Sequence, residues 1–212
     1  MNKEKLGGII IISAPSGGGK TTLVNYIMKE LSFVKMIPTC TTRAKREGEV
    51  NGVDYIFLTK EEFQKKVENN EFLEYALVHG RYYGTLKETV FKELKKGYDV
   101  ILAIDVQGMK SIKEKLDGKV DITTIFIIPP SIEELIKRLK NRGESEEEIE
   151  RRLKSLEKEL PQWKKYDYII INDDLERAKE NLKSIIVSQR LKTSRFDINS
   201  IKDEKMRRLM EQ

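Results

Sequence analysis

One cysteine, one histidine and one tryptophan among 212 residues exclude several common kinds of chemistry. Cys40 has no partner for an internal disulfide, as suits a reducing compartment. His79, in a Val-His-Gly turn, has no nucleophile or metal-ligand neighbour in sequence and reads as structural or solvent-exposed. Apolar runs are short. The longest, Ile9 to Ile12 and Phe126 to Ile128 with their neighbours, fall well below the ~20 residues of a membrane-spanning helix. The first residues, Met1-Asn-Lys-Glu-Lys5, lack the apolar stretch of a secretory signal, so the expected location is cytoplasmic, with no membrane partner. There is no internal repeat and no low-complexity linker, which predicts insertions within one chain-wide fold.

Charge is plentiful, with a formal net value of +5. More than half of that surplus lies in the tail, where residues 190–212 carry seven Lys/Arg against four Asp/Glu. No basic stripe interleaved with aromatics accompanies it, so nucleic acid is not an expected partner. The small remainder suits phosphate-bearing small molecules.

Strand-length apolar runs alternate with segments of helical period, the signature of an α/β protein with a largely parallel sheet. Buried strands are predicted over Gly8 to Ser13, Tyr98 to Ile104, Ile122 to Ile128 and Tyr168 to Ile171. Four Ser/Thr residues followed three positions later by Glu mark helix starts: Thr59/Glu62, Thr85/Glu88, Ser131/Glu134 and Ser145/Glu148. Gly97 and Gly143 mark helix ends. Two stretches break the alternation. Residues 38 to 85 hold short alternating runs, one short helix, and turns at Asn51-Gly52 and His79-Gly80, which predicts a small, partly antiparallel subdomain. Residues 131 to 161 predict two highly charged helices, a composition that suits a mobile lid.

Directly after the first apolar run stands Ala14-Pro15-Ser16-Gly17-Gly18-Gly19-Lys20-Thr21, which reads as a phosphate-binding loop. Three glycines let successive backbone N–H groups turn inward on a polyphosphate with no Cβ in the way. Lys20 would reach the β/γ-phosphates of a nucleoside triphosphate and Thr21 would offer its hydroxyl to Mg2+. The helix beginning there presents unpaired N–H groups to the anion. The loop opens with Ala14 where the usual pattern has Gly.

From Cys40-Thr-Thr-Arg43-Ala-Lys-Arg46 through Val53-Asp-Tyr55 the chain resembles the guanylate kinase signature. The resemblance continues through Asn70-Glu-Phe-Leu-Glu74, Tyr82-Tyr83-Gly84-Thr85, Ile104-Asp105-Val-Gln-Gly108, Pro129-Pro130-Ser131, Arg142-Gly143 and Ile171-Asn172-Asp173-Asp174. It spans roughly residues 8 to 190. It implies a P-loop NTPase-like parallel sheet core flanked by helices (about 1–37, 86–130 and 162–190). A small GMP-binding subdomain (about 38–85), a helical lid (about 131–161) and a C-terminal extension (about 191–212) complete the expected organisation. The implied activity is Mg2+-dependent transfer of the ATP γ-phosphoryl group to GMP, and to dGMP. The alternative is a catalytically silent relative that holds a phosphorylated protein, but such modules usually lose the phosphate loop or the lid arginines, and this chain keeps both.

The resemblance places Arg43, Arg46, Tyr55 and Tyr83 on the GMP phosphate, where two arginines can fork onto its oxygens. By residue type alone, Arg43 and Arg46 equally suit a solvated turn, and the tyrosines a packed sheet. The resemblance sets Glu74 against guanine, whose adjacent N1–H and N2 amine one carboxylate can accept together, with Thr39 and Thr85 near O6. Such polar pairing discriminates bases by about 10⁴-fold. Asp105 falls where the family sets an aspartate near both GMP and the metal; residue type leaves that choice open. Two positions before it the family often has a second acid, whereas this chain has Ala103. Arg138, Arg142 and Arg152 correspond to lid arginines that close on the transferring phosphoryl group, and Asn172 to a position near the donor adenine.

Cys40 reads as a small packed residue, and Trp163 as packing the lid against the core. The tail's spaced apolar residues, Ile198, Ile201, Met206, Leu209 and Met210, fit a docked or exposed amphipathic helix. Oligomeric state is left open by the sequence.

Overall fold

Four consecutive isoleucines, 9 to 12, form the central strand β1 (Ile9–Ser13), and the alternation of a strand sends them to opposite faces. Ile9 and Ile11 join one core, Ile10 and Ile12 the other, so both faces of the sheet are covered. This is why the run has no polar residue in it. The structure, a computed structural model, describes residues 7–78 and 80–211. His79 and Met1 to Lys5 lie outside the described residues.

Around β1 a five-stranded parallel sheet runs in the order β2 (Val34–Met36), β7 (Asp99–Leu102), β1, β8 (Ile122–Ile128), β9 (Tyr168–Ile171). Helices α1 (Lys20–Glu30) and α7 (Leu175–Gln189) cover one face through Leu23, Ile27, Leu182 and Ile186. Helices α3 (Lys87–Lys95) and α4 (Val106–Leu116) cover the other through Val90, Leu94, Met109 and Ile112. At the predicted strand Tyr168 to Ile171 the structure corrects the expectation of burial: β9 is the sheet edge and only Ile170 is buried. Phe72 to Val78 forms β5, paired antiparallel with β6 (Arg81–Leu86). With β3 (Thr39–Thr41) and β4 (Tyr55–Phe57) they make a second sheet ordered β4-β3-β6-β5, in which β3 and β4 run parallel. Helix α2 (Lys60–Glu68) packs on it through Phe63, stacked on Phe72 at 4.4 Å between ring centroids. Cys40 is fully buried there.

Three of the four expected helix starts hold. Thr59 and Ser145 make reciprocal capping boxes with Glu62 and Glu148, and Ser131 accepts from the Glu134 N–H. Thr85 is the exception. It lies in β6, its hydroxyl donates to Glu74, and α3 starts after Leu86 with no side-chain cap. Between α5 (Ile132–Lys140) and α6 (Glu146–Glu159), Leu135, Leu139, Ile149 and Leu156 form a small core of their own. A 3-10 turn over Leu160–Lys165 follows. Trp163 in it is 46% exposed, so it does not seal the two helices to the core as the sequence suggested.

The tail is anchored by charge, not by its apolar residues. Asp99, fully buried, accepts the Gly8 N–H at 2.8 Å and pairs with Arg195, whose side chain is itself buried. Lys192 reaches Asp121 at 3.3 Å, and Arg190 stacks over Phe33. The final helix α8 (Glu204–Met210) buries no residue, and Met206, Leu209 and Met210 are exposed.

Removing one partner of a buried ion pair leaves the other charge desolvated and alone, at a cost of about 3–5 kcal/mol. We therefore expect Arg195→Met to lower unfolding free energy by about that amount, whereas deleting residues 204–211, none of which is a buried residue, leaves it nearly unchanged. Urea unfolding of both variants checks this; equal, small losses would show that Arg195 does not anchor the tail.

Candidate active site

A cleft of about 700 Å³, of the size usual for small-ligand sites, opens where the carboxyl ends of β1 and β7 meet the second sheet and α6. Open parallel sheets place ligands at this edge. Its floor is Ser13, Ala103, Ile104, Asp105 and Phe126.

One wall is the loop Ala14, Pro15, Ser16 and Gly17 with Lys20 and Thr21. Gly17 and Gly19 have φ of 85° and 99°, a region that side chains resist. Gly19 has a second reason to be bare: a Cβ would come 2.0 Å from the Asn172 amide nitrogen. That amide donates to the Gly18 carbonyl at 2.9 Å. The Asn172 amide is thus engaged in holding the loop, and its side chain stands behind the cleft wall. Lys20 donates to the Ala103 carbonyl at 3.3 Å, and burial lowers its pKa against the pull of Asp105 and Glu159.

The opposite wall is the second sheet, which brings Thr39, Arg43, Arg46, Tyr55, Glu74 and Tyr83 to the cleft. Arg43 is held by Glu49 at 2.6 Å and stacks over the Tyr55 ring at 5.2 Å, so its guanidinium is fixed in plane. Glu49 also accepts the Arg46 N–H, and its hydrogen bond from Arg43 depresses its carboxyl pKa. Between Phe72 and Glu74 the register of β5 slips, and Phe72, Leu73 and Glu74 are all buried in succession. This irregularity aims Glu74 into the cleft while Leu73 enters the main core. Thr85, behind it, donates to Glu74 at 2.6 Å. Burial raises the Glu74 pKa to about 7, with Asp105 adding to the rise and Thr85 opposing it.

Asp105 caps α4 by accepting the Gly108 N–H at 2.8 Å, with its residue still facing the cleft. From the helical side come Arg142, Arg151 and Arg152, with Glu148 and Glu159. Arg138 stands back from the cleft: its guanidinium donates to Glu134 and to the Asn172 carbonyl at 2.9 Å. Arg152 pairs with Glu144. Sequence reasoning missed Glu49, Arg81, Arg151 and Glu159 as cleft residues. The Glu49 spacing, three after Arg46, was a readable turn signal; nothing local marks Glu159, whose pKa burial raises.

Among the described residues no group of three or more His, Cys, Asp or Glu forms a metal cage. The donor set fits a Mg2+ ion bound mainly through substrate phosphates: Thr21 would offer it one hydroxyl. Chemically, the cleft can hold a polyphosphate on one side. On the other it can hold a phosphate monoester beside a carboxylate able to accept two adjacent donors.

A carboxyl pKa raised from 4.5 to about 7 means that the folded chain keeps a proton the unfolded chain has lost. Stability therefore falls as pH rises between those values and levels off above the upper one. Glu74→Gln removes this fall, so the variant should gain melting temperature over the parent as pH is raised across that window. Melting curves of both from acid to mildly alkaline pH check this; a constant offset would mean that Glu74 does not titrate there.

The guanylate kinase family model matches residues 7–189. A guanylate kinase of Caldanaerobacter subterraneus subsp. tengcongensis is 46% identical, covering 92% of this chain and 94% of the relative. That of Neisseria meningitidis serogroup A is also 46% identical with the same coverage. The crystal structure of guanylate kinase from Anaplasma phagocytophilum superposes with a TM-score of 0.74 at 34% identity, covering 90% of this chain and 89% of that one. On fold, cleft and these relatives together, the chain belongs to the guanylate kinase family.

Proposed function

We propose that this protein transfers the γ-phosphoryl group of ATP to GMP, and to dGMP, with Mg2+, giving ADP and GDP or dGDP. One observation carries the reading. A phosphate loop and a carboxylate-plus-arginine pocket face each other across a single cleft. The segment about 38–85 serves as the acceptor unit and about 131–161 as the lid. The expected setting is the cytoplasm, without nucleic-acid or membrane partners; among the described residues, no helix is long and apolar enough to cross a membrane.

Glu74 accepts guanine N1–H and the N2 amine, with Thr39 on the O6 side and Thr85 holding the carboxylate from behind. Adenine has a lone pair at N1 and would face the carboxylate unpaired. Arg43, Arg46, Tyr55 and Tyr83 bind the GMP phosphate and orient one oxygen toward the donor. That oxygen attacks the γ-phosphorus as the bond to the β,γ-bridging oxygen breaks and ADP leaves with the electron pair. The acceptor is already an anion, so no strong general base is needed. Lys20 and the loop N–H groups take up charge on the β/γ oxygens, and Arg142 and Arg152 lie along the transfer path. Thr21 would hold Mg2+ by its hydroxyl, and the ion would supply neutralisation of phosphate charge there. Arg138 acts one step back, by holding the Asn172 backbone beside the loop.

A coupled assay of ADP release with GMP, dGMP, AMP, UMP or no acceptor tests the reading. GMP and dGMP should be used and AMP and UMP hardly at all; activity independent of acceptor would overturn it. Lys20→Met should cut kcat by about 10²-fold or more with the fold intact. In the same assay Glu74→Gln should weaken GMP use selectively. Equal loss on GMP and on a non-guanine acceptor would remove the carboxylate from base choice.

A further inference from the structure

Gly108 is the third residue of α4, buried, and in a helical conformation that any residue adopts. Glycine here weakens the helix relative to alanine, so the backbone does not explain it. Space does. A Cβ at 108 would lie 2.8 Å from Glu74 Oε2 and 3.2 Å from its Cδ, closer than a carbon and an oxygen approach. The next contact is the Ile104 Cδ1 at 3.2 Å, and no backbone atom is among the nearest three. Glu74 is meanwhile tied by its other oxygen to the Thr85 hydroxyl, and Gly108 by its N–H to Asp105. The carboxylate is thus sandwiched between a hydroxyl and the bare edge of α4.

We propose that Gly108 is a specificity-determining positioning residue: the missing side chain leaves the slot in which the Glu74 carboxylate stays aligned for the guanine edge. This rests on the reading of Glu74 given above. A methyl group at 108 is relieved most cheaply by rotating the far end of Glu74 off Thr85. The fold then survives while the acceptor pocket loses its shape, and α4 gains helix propensity. Losing a well-made hydrogen bond to a charged group weakens binding by about tenfold or more.

The test is kinetics of Gly108→Ala, Glu74→Asp and the double variant with GMP and with IMP, which keeps N1–H but lacks the 2-amine. Gly108→Ala should raise the GMP KM about tenfold or more, narrow the preference for GMP over IMP, and leave the ATP KM and melting temperature close to those of the parent. Aspartate draws the carboxylate back by one methylene and empties the slot, so Gly108→Ala should cost little further in that background. An unchanged GMP KM in Gly108→Ala, or losses that add in full in the double variant, would overturn the proposal. If Gly108→Ala alone does not fold, the double variant must fold; failure of both overturns it too. Glu74→Gln separates the two readings. A GMP-selective loss there with an indifferent Gly108→Ala sinks this inference alone, whereas no selective loss in Glu74→Gln sinks the reading beneath it.

Discussion

Burial of β1 on both faces is the constraint on which the rest depends. With Ile9 to Ile12 wholly inside, the strand cannot slide or tilt, and Ser13 at its end donates to the Ile104 carbonyl of the chain leaving β7. The loop that follows is therefore fixed at its root. Its other end is pinned by the start of α1, whose Leu23 and Ile27 are fully buried on the sheet. A loop of three glycines would be entropically costly to order by itself. Here the ordering comes from the flanking elements and from the Asn172 amide on the Gly18 carbonyl.

The second requirement is electrostatic. Two phosphate-bearing ligands entering one cleft would repel each other, and the cations that offset this would in turn repel one another when the cleft holds no ligand. The structure meets the second difficulty with acids paired to or near the cations: Glu49 on Arg43, Glu144 on Arg152, and Glu159 within the field of Lys20 and Arg152. The arginine planes are thereby oriented in advance, which lowers the conformational cost of presenting them to phosphate.

Much of this was legible from residues. The buried strand through Ile9 to Ile12, the glycine turn into α1, two capping boxes and the partly antiparallel second sheet all follow from local pattern. Where the reading failed, a long-range partner outweighed the local signal. Thr85 has the spacing of a helix cap, but Glu74 on the neighbouring strand takes its hydroxyl. Tyr168 to Ile171 reads as a buried strand by composition, yet sheet order leaves it at the edge, and order is not written in any one segment. The tail reads as a docked or exposed amphipathic helix, and α8 is the exposed one. What that pattern does not show is the tail's attachment, Arg195 reaching Asp99, 96 positions away, a pairing invisible to periodicity.

The helices at 131 to 161 are attached unevenly. Their charge suggests a mobile lid, and within it Leu135 and Leu139 of α5 are buried, and a Cβ on Gly17 would strike Leu135 at 2.7 Å. Helix α5 thus packs directly on the phosphate loop, and Arg138 adds a bond to the Asn172 carbonyl while the Asn172 amide holds Gly18. Loop, strand end and helix form one tied unit. The arginines that face the cleft are instead on the connection after α5 and on α6, beyond that unit, with Arg152 restrained by Glu144 and a four-residue apolar core. Rigidity is concentrated where phosphate oxygens must be met by fixed N–H groups. On the side that carries Arg142, Arg151 and Arg152, α6 buries only Ile149 and Leu156 of its 14 residues, so any closing movement has its least resistance there.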